Sequence, residues 1–332
     1  MRYLTLLLCL LAFAVNCHAA DSGQQRAEAA GRSLVGTPAP AMVLKTIDGQ
    51  TIDLGKLYGK KAVYLKFWAT WCVPCREQMP HLQRTYEEAG PDMAVIAIDV
   101  GFDDSVEEVR KYRHDVGLTM PIVFDDGSLG EAFHLRVTPQ HVVIGRDGRI
   151  LYVGHEANAR LDAALLAART STPLPVVATK VAAAEKPIGM GDSVPDASVT
   201  TLAGKSFPLH DAAKPTVLVF LSPWCESYLA KSRPQLSQSC RGMREQVEAL
   251  AQKRTDLRWL GVASGLWAAR DDLVDYKKTY RVEIPLTLDA SGALFRSFRV
   301  MHVPTVVLVD AQGRVTRRIE AADGDLAAAL PR

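Results

Sequence analysis

One pattern, written twice, limits this chain more than anything else in it. Val63-Tyr64-Leu65-Lys66-Phe67-Trp68-Ala69-Thr70-Trp71-Cys72 is an apolar, β-favouring run that halts at Trp-Cys, and Thr216-Val217-Leu218-Val219-Phe220-Leu221-Ser222-Pro223-Trp224-Cys225 repeats it. The echo extends to both sides. Gly36-Thr37-Pro38-Ala39-Pro40 answers Gly191-Asp192-Ser193-Val194-Pro195, the Asp48-Gly49 turn answers Gly204-Lys205, and Val137-Thr138-Pro139 answers His302-Val303-Pro304. A chain of 332 residues, 48% of them apolar, is long enough for two cores, so the repeat reads as two domains of one fold in tandem.

Within the first copy, strands and helices alternate. Tyr64 to Trp68 suits a buried strand, and Arg76 to Tyr86 carries Met79, Leu82 and Tyr86 at helical intervals. Met93 to Val100 is a second buried strand. Ser105 to Val116 places Val106, Val109 and Tyr112 on one helical face, and Pro121 to Asp125 begins a short strand. Val142 to Ile144 and Ile150 to Val153 form a hairpin turned at Asp147-Gly148, and Leu161 to Ala168 makes a last helix. This order predicts an α/β fold, a central mixed sheet with helices on both faces.

Cys72-Val73-Pro74-Cys75 stands where the first strand hands over to a helix. A helix N-terminus favours an anion, so the Cys72 thiol should ionise below its ordinary pKa of about 8.5, and only a thiolate attacks a disulfide. Cys75, one turn on, can close on Cys72 and release a mixed disulfide. Structural zinc is the plainer reading of such a pair, but it needs four ligands and no second Cys-x-x-Cys or His-x-x-His follows. A structural staple is equally poor here, because so short a ring removes little chain entropy. The expectation is an exposed, redox-active dithiol.

Phe67-Trp68-Ala69-Thr70-Trp71-Cys72-Val73-Pro74-Cys75 resembles the active site of the thioredoxin superfamily, and in particular the secreted TlpA/ResA-like thiol-disulfide reductases. The likeness spans about 33–168 and includes the Gly36 to Pro40 stretch, Asp48-Gly49, Pro80, Val137-Thr138-Pro139 and Asp147-Gly148. It implies that Cys72 is the nucleophile, Cys75 the resolving thiol, Pro139 a cis-proline facing them, and Thr138 the backbone offered to a client chain. Trp71 belongs to the same motif. The repeat then becomes two thioredoxin-like domains in tandem, 33–169 and 188–332, joined by a Pro-, Ala- and Thr-rich linker at 170–187.

The first copy departs from that family at two positions. Gln78 stands where those reductases usually place a glutamate, with Glu77 one step earlier on the helix. Lys66 stands where thioredoxins proper carry a buried acid. A cation there would favour the thiolate, so Lys66 is expected to tune the dithiol toward a low pKa, unless burial strips its proton or it snorkels to solvent.

The second copy departs more. Tyr228 holds the resolving position after Cys225, and phenol oxygen cannot replace sulfur. Extra length follows, with Cys240 in it. On one unbroken helix, Cys225 and Cys240 would lie about 22 Å apart, whereas a disulfide needs Cα atoms within about 7 Å. Pro234 and Gly242 are the residues that could break the helix and fold Cys240 back. Three states stay open: a Cys225–Cys240 disulfide, structural or reversible; two free thiols; or a Cys225 that exchanges with another chain. Pro304 is the matching proline.

Met1 to Ala20 has one charge at Arg2, an apolar core from Leu4 to Val15, and then Asn16-Cys17-His18-Ala19-Ala20. It reads as a signal peptide over 1–20, too short to span a bilayer, which predicts periplasmic localisation without stable membrane insertion. Asp21 to Arg32 reads as a disordered or loosely helical lead-in. Cleavage leaves Cys72, Cys75, Cys225 and Cys240. A net charge of +2 with scattered basic residues gives no reason to expect nucleic acid.

The expected function is therefore an exported thiol-disulfide oxidoreductase that reduces protein disulfides through Cys72 and Cys75, with no cofactor and no resident metal. The resemblance implies electrons from a membrane thiol transporter and clients that include apocytochromes. Two alternatives compete. Soft sulfur suits Cu(I), and Cys225 with Met301 and His302 could make a copper-binding or metallochaperone site, against the plainer reading that Met301 packs inward and His302 faces solvent. Or the second domain is a docking module with no chemistry of its own.

Overall fold

The computed structural model describes residues 23–173, the backbone of 179–180, and residues 186–320 and 325–331. The segment read as an export signal and most of the linker lie outside the described residues. Two five-stranded mixed sheets form, with the same order. In the first, the strands run Ile122–Phe124, Met93–Asp99, Ala62–Trp68, Gln140–Ile144 and Ile150–Gly154 across the sheet. In the second they run Leu286–Asp289, Arg258–Ser264, Thr216–Leu221, Thr305–Val309 and Val315–Glu320.

Each Trp-Cys strand is central. Ala62–Trp68 pairs parallel with Met93–Asp99 and antiparallel with Gln140–Ile144, so both its edges are hydrogen-bonded and all seven of its residues are buried. That explains an apolar run without alternation, since a strand covered on both faces has no solvent side. Thr216–Leu221 is held in the same way by Arg258–Ser264 and Thr305–Val309. The α/β expectation holds.

Local sequence sets the helix limits. Ser105 caps Val106–Val116 through a capping box with Glu108, and Gly117 ends that helix at φ 70°. The helix expected from Arg76 to Tyr86 is two, Val73–Glu77 and Met79–Glu88, parted at Gln78 by Pro80. A proline in the first turn starts a helix readily but removes the amide that would continue the previous one. Gly23–Gly31, within the expected lead-in, is an ordered helix laid on the edge strand: Gln24 Oε1 accepts the amides of His155 and Glu156, both at 3.0 Å or less.

The two domains are not separated by solvent. A continuous buried cluster runs from Trp68, Trp71 and Phe102 of the first into Phe220, Phe295 and Phe298 of the second. A smaller cluster on the far face of the second sheet holds Trp259, Leu286 and Val306. The shared cluster lies at the ends of the strands that carry the cysteines.

Candidate active site

Cys72 is the N-cap of Val73–Glu77, and the Cys75 amide donates to its Sγ at 3.2 Å. The pair is a disulfide with Cα atoms 5.2 Å apart. Opposite stands the Thr138–Pro139 peptide, which is cis, with the Thr138 carbonyl oxygen 3.4 Å from Cys72 Sγ. Cys72, Cys75, Thr138 and Pro139 therefore meet, in the arrangement the resemblance implied. Trp71 walls one side, its indole N–H donating to Phe102 O at 2.7 Å.

Lys66 lies beneath this group. It is fully buried in the central strand, and its Nζ donates to Cys75 O at 3.3 Å. Burial drives its pKa from 10.5 down to about 7, because a cation loses its hydration there. Of the outcomes left open for Lys66, burial favours the one in which the amine loses its proton above about pH 7.

Gln78 takes the place of a carboxylate by bonding to His141. His141 Nε2 meets Gln78 Oε1 at 2.8 Å, and its Nδ1 meets Tyr64 Oη at the same distance. Burial, with Lys66 nearby, holds the imidazole pKa well below 6.5, so the ring is neutral. Gln78 Nε2 donates on to His155 O at 3.3 Å, and His155 Nδ1 meets Pro139 O at 2.7 Å. A chain of polar side chains thus ties the helix to the proline loop. Sequence reasoning missed both histidines; for His141 the available signal was a polar ring two places after Pro139, directly before the Val142-Val143-Ile144 run.

Exposure is where the expectation fails. Cys72 is 1% exposed, Cys75 0% and Trp71 2%. The second domain packs on the residues that surround the dithiol. Trp224 stacks on Trp71 with ring centroids 5.0 Å apart. Tyr228 Oη accepts the Val73 amide at 3.0 Å, and Trp267 Nε1 donates to Thr138 Oγ1 at 3.1 Å. Tertiary packing across the repeat decides this, and no local pattern encodes it.

Beside the dithiol, Arg233 donates to Asp104 Oδ1 and Thr70 Oγ1, each at 2.7 Å, and to Asp103 O. Asp99, Asp103 and Asp104 are all buried, which raises their pKa values. For Asp104, bonds from Thr70 and the Arg233 charge work against that rise.

In the second domain Cys225 and Cys240 form a disulfide, with Cα atoms 6.3 Å apart. The chain breaks between Cys225–Ser232 and Pro234–Lys253, at Pro234 as allowed for, while Gly242 stays within the second helix. The Val303–Pro304 peptide is cis, and Cys240 Sγ lies 3.9 Å from Val303 O. Beside Cys225, the buried Glu226 carboxylate takes two bonds from Arg244, at 2.7 and 3.1 Å.

The copper set is not assembled. Cys225 Sγ is committed to Cys240. Met301 O accepts the Asp103 amide at 2.8 Å, and His302 Nδ1 lies 3.7 Å from Asp103 Oδ1, so both residues turn to the first domain. Among the described residues no group of three or more His, Cys, Asp or Glu side chains could hold a metal ion. No helix among them is long and apolar enough to cross a membrane.

The AhpC/TSA family model matches residues 35–153 and 190–318. The thioredoxin-like protein YneN of Bacillus subtilis (strain 168) is 34% identical over 122 residues, which is 36% of this chain and 71% of that protein. The thiol-disulfide oxidoreductase ResA of Halalkalibacterium halodurans is 35% identical over 127 residues, 37% of this chain and 71% of its own. A solved thiol:disulfide interchange protein of the thioredoxin family, from Chlorobium tepidum TLS, is 27% identical, covering 40% of this chain and 96% of its own, with a TM-score of 0.37.

Proposed function

Since the chain belongs to the AhpC/TSA family and is a TlpA/ResA-like, thioredoxin-superfamily thiol-disulfide oxidoreductase, we propose that it is exported to the periplasm and reduces disulfides in protein clients. The observation that carries this reading is the Cys72–Cys75 disulfide at a helix start, its outer sulfur 3.4 Å from Thr138 O.

In the reduced state the Cys72 thiolate attacks a client disulfide, forming one S–S bond and expelling a client thiolate. Cys75 then attacks Cys72 Sγ, the second client thiolate leaves, and two electrons have passed from enzyme to client. The Cys75 amide, donating to Cys72 Sγ at 3.2 Å, favours the attacking anion. Lys66, neutral above pH 7 and bonded to Cys75 O, is the nearby base for the Cys75 proton. Thr138 and Pro139 position the client strand, and Trp71 limits its approach. Electrons would return from a membrane thiol transporter, and apocytochromes, whose cysteines must be reduced before haem attachment, fit as clients. The apolar stretch from Leu4 to Val15 supports export.

Insulin reduction by the full chain, driven by dithiothreitol, tests this. Cys72→Ser should abolish turnover, and Cys75→Ser should accumulate a mixed disulfide through Cys72. Turnover that survives Cys72→Ser would overturn the assignment.

A further inference from the structure

We infer that the second domain is an intramolecular occupant of the client-binding face, so that the closed arrangement is a latent form and exchange with a protein requires the two domains to part. This rests on the reading of Cys72 and Cys75 as the exchanging dithiol. An attacking thiolate, the two client sulfurs and the Thr138 backbone must all come together, and a dithiol 1% and 0% exposed admits no protein chain.

The covering groups occupy the positions a client would need. Trp224 lies flat on Trp71, Tyr228 takes the Val73 amide at the start of the dithiol helix, and Trp267 holds the Thr138 hydroxyl. Tyr228 is the residue found where the first domain has its resolving cysteine. The side chain that stands in place of a resolving cysteine in the second copy therefore caps the first. The Cys225–Cys240 disulfide closes the loop of chain that carries Tyr228 and Arg233, which fixes the cap's shape.

Ion pairs also join the two domains. Arg233 bonds to Asp104 at 2.7 Å and approaches Glu108 at 3.2 Å, and Arg296 meets Glu131 at 2.5 Å. Beside the Arg296–Glu131 pair an open pocket of about 100 Å³ lies at the contact, lined by Phe102, Asp125 and Arg136 on one side and Leu266, Phe295 and Met301 on the other. Parting the domains must break these ion pairs and separate Trp71 and Phe102 from Trp224 and Phe295, so the closed form is favoured and the open one is a minor population.

The full chain is the right material for the test. Insulin reduction and the rate of Cys72 alkylation by iodoacetamide after reduction are compared in wild type, Arg233→Ala, Tyr228→Ala, and a Glu131→Cys, Arg296→Cys chain joined by a short bismaleimide while its native disulfides are oxidised. Opening raises the competent fraction, so Arg233→Ala and Tyr228→Ala should each speed both reactions by about tenfold. The cross-linked chain should slow by a similar factor. Equal insulin reduction in cross-linked and uncross-linked chains overturns the inference. So does an unchanged alkylation rate in both opening variants with native circular dichroism. If no variant acts on insulin yet alkylation still follows opening, the exchange reading has failed and the cap has not.

Discussion

Replacing Lys66 by methionine should stabilise the first domain by an amount that depends on pH. The amine sits fully buried in the middle of a seven-residue central strand, and burial takes its pKa from 10.5 to about 7. At 1.36 kcal/mol per pH unit, this is a penalty of about 5 kcal/mol when the lysine is charged in both folded and unfolded states. The sign follows from proton counting. Between pH 7 and 10.5 the unfolded chain binds the proton and the folded chain does not, so wild-type stability rises with pH across that window. Below pH 7 both states hold it and the whole penalty applies. Methionine, of similar length and uncharged, removes the penalty. The stabilisation should therefore be about 5 kcal/mol at pH 6 and about 2 kcal/mol at pH 9, read by urea unfolding of the oxidised chain at each pH. A stabilisation that does not change between those pH values would refute the argument, as would a variant less stable at both. If the amine also tunes the dithiol, the Cys72 thiol of the reduced chain should titrate higher in the same variant.

Joint replacement of Cys225 and Cys240 by serine opens a cross-link between residues 15 apart and should cost about 3 kcal/mol, measured by guanidinium unfolding of the second domain. Phe220→Ala should cost about 3 to 5 kcal/mol, because Phe220 is fully buried with Phe295 and Phe298 5.1 and 5.4 Å from it; a loss under 1 kcal/mol would deny that the shared cluster is tightly packed. Gln78→Glu places a carboxylate against His141 Nε2 and should raise the imidazole pKa above its wild-type value, visible in the nuclear magnetic resonance titration of that ring.

The repeat, the central strands and the dithiol at a helix start were legible in the order of residues. These features are local: a continuous apolar run reports burial on both faces, and Cys72-Val73-Pro74-Cys75 needs only its own helix to form its bond. The proline loop was legible as well, since Val137-Thr138-Pro139 and Val303-Pro304 recur at matching points of the two copies. Lys66 was visible as an oddity, but whether its charge survives depends on how completely other strands exclude water. The remainder depends on contacts between distant parts of the chain. Arg233 reaches Asp104, and Trp267 reaches Thr138, across more than a hundred residues. Packing of one copy's face on the other is a sum over distant side chains, so the local pattern that names the cysteines says nothing about the domain that covers them.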